Sequence, residues 1–97
     1  MPPAANNDVS INEVIYDFLT IEIINTHLHH KNLSYAIIDT EQRIIRKGNF
    51  NGLTVHLRVA HMMEGKYFLR VSYEDKMISL PFKKITSSFS ELSYARR

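Results

Sequence analysis

The chain has 97 residues, 44% hydrophobic and 23% charged, with no cysteine and a formal net charge of +2. One domain of this size hides roughly 60–65% of its unfolded surface, and the absence of cysteine excludes a disulfide framework and any thiolate metal site. No apolar run reaches the roughly 18 residues that a membrane-spanning helix needs, so direct membrane insertion is not expected.

The opening "MPPAANNDV" is rich in Pro, Ala and Asn and reads as a leader or linker. It has neither a basic n-region nor an apolar h-region, so it is not a secretory signal. The next stretch is ambiguous. Ser10 and Glu13 have capping-box spacing, and Ile11, Val14, Ile15, Phe18 and Leu19 share a helical face. From Leu19 onward "LTIEIIN" alternates instead, which predicts a strand over 18–25.

Every later segment has strand character. "NLSYAIIDT" carries apolar residues on both faces, as a central strand buried on two sides does. "RIIRKG" follows a polar turn that begins at Asp39, and Gly48 closes it. "GNFNG" contains Asn-Gly, the strongest local turn signal in the chain, with Gly52 as its pivot. "LTVHLRV" places Leu53, Val55, Leu57 and Val59 inward, and "KYFLRVSY" does the same with Tyr67, Leu69, Val71 and Tyr73. In "KMISLPFKKI" Pro81 cannot donate a ladder hydrogen bond, so this strand is expected at a sheet edge. Strands near 18–25, 33–39, 43–47, 53–59, 66–73 and 77–85 predict an all-β fold, an Ig-like antiparallel β-sandwich of six to seven strands. The expected organisation is a linker or leader over 1–16, the sandwich over 17–86 and a Ser-rich tail over 87–97.

Gly65 stands where the loop "AHMME" turns into a strand, a place for positive φ or close backbone approach. Tyr67 is then the first inward side chain, with its ring in the core and its hydroxyl near the edge. Lys83 and Lys84 have a protective reading, since lysines blunt a strand edge against aggregation.

Read together, "DFLTIEI", "LSYAIIDTEQRIIRKGNFNG" and "EGKYFLRVSYEDKMISLPFKKI" resemble the C-terminal sorting domain carried by cargo proteins of the type IX (Por) secretion system of Bacteroidetes. The matching features are an opening strand with Leu19 and Ile21, a strand ending at Asp39, a short strand ending at Gly48, the Gly65–Tyr67 strand entry, and a final hairpin ending in Lys83 and Lys84. The resemblance spans roughly residues 17–85. It departs from the family in lacking an Asn-Pro pair before the first strand and a turn glycine near Gln42, in carrying Glu64, and in running thirteen residues past Lys84. It implies a non-catalytic signal that passes through the periplasm, is recognised by outer-membrane translocation proteins, and is removed from its cargo at the cell surface. The accessible peptide for that removal is expected around Pro3 to Asp8. Recognition is expected to involve Gly65, Tyr67, Lys83 and Lys84.

Other chemistry has less support. His27, His29, His30, His56 and His61 lack carboxylates at ligand spacing, so no metal or other cofactor is expected. No nucleophile elbow, phosphate loop or paired-acid motif is present, and no catalytic residue is assigned. Arg43, Arg46, Lys47, Arg58 and Arg70 interleave with Phe50, Tyr67 and Phe68 as on a base-stacking sheet. Residues 1–42, however, hold six acids against one lysine, net −5, and residues 43–97 eleven bases against four acids, net +7. The acidic first half argues against nucleic acid. The polarity suits steering toward a partner, or a solvated surface of mixed sign. A stand-alone Ig-like binding or scaffold module, dimerising by edge pairing or strand swapping, is the alternative reading.

Overall fold

Period-two alternation becomes strand in the segments from Phe18 to Lys84. The computed structural model describes residues 8–85 and the backbone of 4–5. Among these residues lie nine strands: β1 Ala4–Ala5, β2 Val9–Ile11, β3 Val14–Ile15, β4 Phe18–Ile23, β5 Leu33–Asp39, β6 Ile44–Phe50, β7 Thr54–Arg58, β8 Gly65–Tyr73 and β9 Lys76–Lys84. The segment "THL" between β4 and β5 is a single 3-10 turn, which the Asn25 side chain caps by accepting from the His27 amide, and Leu28 anchors it in the core.

The strands form two sheets, ordered β1-β2-β4-β7 and β3-β9-β8-β5-β6. Their inward faces share one core, in which Leu19, Ile21, Leu33, Ile37, Val59, Leu69 and Val71 are fully buried. The N-terminal chain changes sheet: β2 runs antiparallel to β4, and β3 then runs parallel to β9. The result is the expected Ig-like sandwich.

Four expectations need correction. The sandwich begins well before residue 17, because Val9, Ile11 and Ile15 are buried in its core at 2% exposure or less. Strand pairing to β4 and β9 outweighs the local helical spacing of residues 11–19. The sheets are also not wholly antiparallel, since β3 and β9 run the same way. Nor is β9 a simple edge. The amides of Lys83 and Ile85 donate to Glu13 and Ile15, so β3 covers its last turn of ladder. By the same parity Pro81 turns its missing N–H to the side that β3 leaves open, so proline's edge requirement is met locally. Finally, Leu53 is exposed rather than inward, because β7 starts one residue later. The expected tail over 87–97 lies outside the described residues.

Candidate recognition surface

β8 begins at a tyrosine corner. Gly65 adopts φ +153°, and a Cβ there would meet only the Tyr67 ring, at 3.9 Å. Backbone conformation rather than room therefore calls for glycine. Two residues on, the Tyr67 ring is buried and stacks on Phe82 of β9 with centroids 5.7 Å apart. Its hydroxyl donates to the Met63 carbonyl, 2.7 Å away. This bond ties the β7–β8 loop to the strand it feeds, as the corner tyrosine does in Ig-like domains.

The two lysines of the final hairpin part company, because adjacent strand residues face opposite ways. Lys83 points outward and is exposed. Lys84 points inward, is 4% exposed, and donates from Nζ to the Ile85 carbonyl at 3.0 Å. The expected pair is therefore one surface cation and one buried clamp. Gly65 is the cross-strand partner of Lys84, and Lys66 that of Lys83.

Register builds the outer face of the five-stranded sheet in rows. Pro81 of β9 pairs with Phe68 of β8, Phe68 with Ile38 of β5, and Ile38 with Ile44 of β6. This apolar row crosses four strands, about 14 Å at the usual strand spacing; Pro81 and Ile44 in it are exposed, Phe68 is half-buried, and Ile38 is buried beneath its neighbours. On one side lies the Lys83–Lys66 row, and on the other the row of Ser79, Arg70, Ala36 and Lys47. Where the apolar row meets β3 it opens into a groove of about 360 Å³, lined by Glu13, Val14, Phe68, Pro81, Lys66 and Lys83. Tyr67 forms part of its wall.

Of the residues read as turn formers, Asp39 and Gly52 stand at turns, whereas Gly48 lies within β6 opposite Tyr35, and all three serve the scaffold. Asp39 Oδ1 accepts from the amides of Glu41 and Arg43, both at 2.9 Å, and Oδ2 accepts from Arg43 Nε at 2.8 Å. The Arg43 amide, and then its guanidinium, hold the Asp39 carboxyl below its ordinary value. Gly48 is needed for close approach, since a Cβ there would lie 2.9 Å from Cε1 of Tyr35. Gly52 supplies φ +104° in the β6–β7 turn. Arg46 bridges the sheets, donating from Nε to the Tyr35 hydroxyl at 3.1 Å and from Nη1 to the Arg58 carbonyl of β7 at 2.6 Å.

Asp8, the end of the expected cleavable leader, is buried. It accepts hydrogen bonds from the Tyr73 hydroxyl and, at 2.9 Å, from Asn25 Nδ2. These bonds, Tyr73's first, lower its pKa against the opposing effect of burial. An accessible peptide for removal therefore does not include Asp8.

The interleaved basic and aromatic residues disperse. Phe50 and Tyr67 are core, Arg58 lies on the other sheet, and only Phe68, Arg70 and Lys47 share the outer face. Among the described residues no group of three or more His, Asp or Glu is placed to hold a metal ion. His56 shares a hydrogen bond with Thr20 across β4 and β7, and His29 Nε2 donates to the Ile23 carbonyl.

Sequence reading missed the apolar row and its flanking cations. Their outward parity was legible in "KYFLRVSY", but their alignment across strands was not. Comparison with known protein families, curated proteins and solved structures finds no match for this chain.

Proposed function

We propose that this chain is a non-catalytic sorting domain, a secretion and surface-attachment signal of the kind carried by type IX cargo of Bacteroidetes. It folds in the periplasm, is recognised by translocation proteins of the outer membrane, and is removed from its cargo at the surface. One observation supports the reading: the final hairpin, which closes the resembling span, is tied to the loop before it by the Gly65–Tyr67 corner and presents Lys83 beside an open groove. The matching segments over 17–85 are also those that form β4 to β9. Within this reading Lys83 makes the outward contact, while Lys84, Gly65 and Tyr67 hold the hairpin in shape.

The test fuses residues 1–97 behind a signal peptide and a reporter in a bacterium that has this secretion system. The intact fusion reaches the surface. Lys83→Ala loses delivery while the domain stays folded, whereas Gly65→Val loses delivery by unfolding it. A folded intact fusion that stays in the periplasm ends the sorting reading.

A stand-alone module that self-associates through an edge strand is the second reading, and one observation favours it. The bonds from Ile23 to Leu53 and from Val59 to Asp17 turn the backbone groups of Thr54 and His56 away from β4, where among the described residues no strand covers them. The edge in question is thus β7, not β9. Sedimentation as a monomer at high micromolar concentration counts against it.

A further inference from the structure

The outer face of the five-stranded sheet combines two features that together select a partner. Its apolar row, Pro81–Phe68–Ile38–Ile44, is flanked by Lys66 and Lys83 on one side and by Arg70 and Lys47 on the other. The rows are about 7 Å apart at the strand rise. The outward positions of β5, β6, β8 and β9 carry no Asp or Glu, and Glu13 is the one carboxylate among the described residues that line the groove. Among the described residues none of the four cations makes an ion pair. An unneutralised set of cations on a folded surface repels itself, and a complementary anion relieves that repulsion.

Resting on the sorting reading, we infer that this face docks an extended acidic segment of a partner polypeptide. The segment runs parallel to the strands and crosses the rows, so that an apolar side chain meets the row and enters the groove at Val14, Phe68 and Pro81. Carboxylates two residues before and two residues after it, on the same face of the extended segment, meet the two rows of cations. An extended chain suits this face because its side-chain repeat matches the row spacing. A nucleic acid does not, for the face offers one partly exposed ring, Phe68, where a stacking platform needs several. A lipid surface suits it less, since a plane of headgroups cannot fill a groove of about 360 Å³.

The experiment uses the purified 97-residue chain and fluorescein-labelled decapeptides, one repeating Glu-Ser-Leu-Ser (the Glu–Leu peptide) and one repeating Lys-Ser-Leu-Ser (the Lys–Leu peptide), read by fluorescence anisotropy. Vesicles containing phosphatidylglycerol provide a third arm. The Glu–Leu peptide binds, added salt weakens it, and the Lys–Leu peptide does not bind. Combining Lys66→Glu with Arg70→Glu weakens binding about tenfold or more, and Phe68→Ser weakens it as well. Arg58→Glu, on the opposite sheet, leaves it unchanged. Thermal melts establish that each variant is folded. Equal binding of both peptides, indifference to the double reversal, or stronger charge-dependent binding to vesicles overturns the proposal. Peptide binding without surface delivery of the fusion defeats the sorting reading and leaves the docking face standing. Delivery that survives the double reversal defeats the docking face as a sorting contact and leaves the sorting reading intact.

Discussion

Gln42 sits in the left-handed region with φ 68°, at the turn where the family resemblance leads one to expect glycine. An L-residue there is strained by its Cβ, and glycine is not. Gln42→Gly is therefore expected to stabilise the domain by about 0.5–1 kcal/mol, read as a higher urea midpoint; a lower midpoint contradicts this account. Gly48 behaves oppositely. Its missing Cβ makes room for the Tyr35 ring, which Phe50 packs against at 6.1 Å and Arg46 holds by the hydroxyl. That ring has little freedom to retreat, so Gly48→Ala costs about 1–3 kcal/mol through overpacking. At the corner, Tyr67→Phe removes one hydrogen bond and leaves the ring stack, a loss of about 1 kcal/mol with the fold retained. The Gly65 and Gly52 positions were legible because turn chemistry is local, whereas the need for Gly48 comes from the Tyr35 ring of the neighbouring strand. The inward burial of Lys84 follows from strand parity that lysine composition conceals.

At the scale of elements, β2 and β3 decide where the domain starts. Val9, Ile11 and Ile15 fill the core from a segment whose spacing also suits a helix. Burying each such side chain contributes about 1.5–3 kcal/mol, and together they approach the whole stability of a typical domain, about 5–15 kcal/mol. A chain that begins at residue 17 is thus expected to lose cooperative unfolding. Near-UV circular dichroism and a urea titration against the full chain check it, and a sigmoidal transition of equal midpoint would return residues 1–16 to linker status. The β5–β6 turn was easier to read. Asp39 organises it through bonds to residues two and four positions on, all within one short window.

For the whole molecule, charge that looks like a polarity along the chain becomes a property of one sheet face. Lys47, Lys66, Arg70 and Lys83 come from β6, β8 and β9, which the fold places in a single sheet. Two of the acids serve the scaffold instead. Asp8 closes the N-terminal end against Tyr73 and Asn25, and Asp39 closes the β5–β6 turn. Both carboxyls are held below their ordinary value of 3.8, by the Tyr73 hydroxyl and the Arg43 amide respectively. A carboxyl whose folded pKa is depressed adds stability above its unfolded pKa, and that stability is lost as pH falls through the folded value. The urea midpoint should therefore stay level from neutrality to about pH 5 and decline below about pH 4. Asp8→Asn and Asp39→Asn should each make that decline shallower. An acid limb unchanged in both variants would assign it to other groups.

Alternation with a period of two determined by itself that β4 through β9 are strands, and which way most of their side chains point. Glycine, Asn-Gly and Asp placement determined the turns between them, because φ preferences and short hydrogen bonds act within a few residues. Only the tertiary structure decided that β3 crosses to run parallel with β9, that Pro81 faces the one uncovered part of its strand, and that four apolar residues from four strands align between two rows of cations. Those outcomes depend on register between distant segments. Register is fixed by the shared core and the pairing partners together, and no local window of sequence contains both.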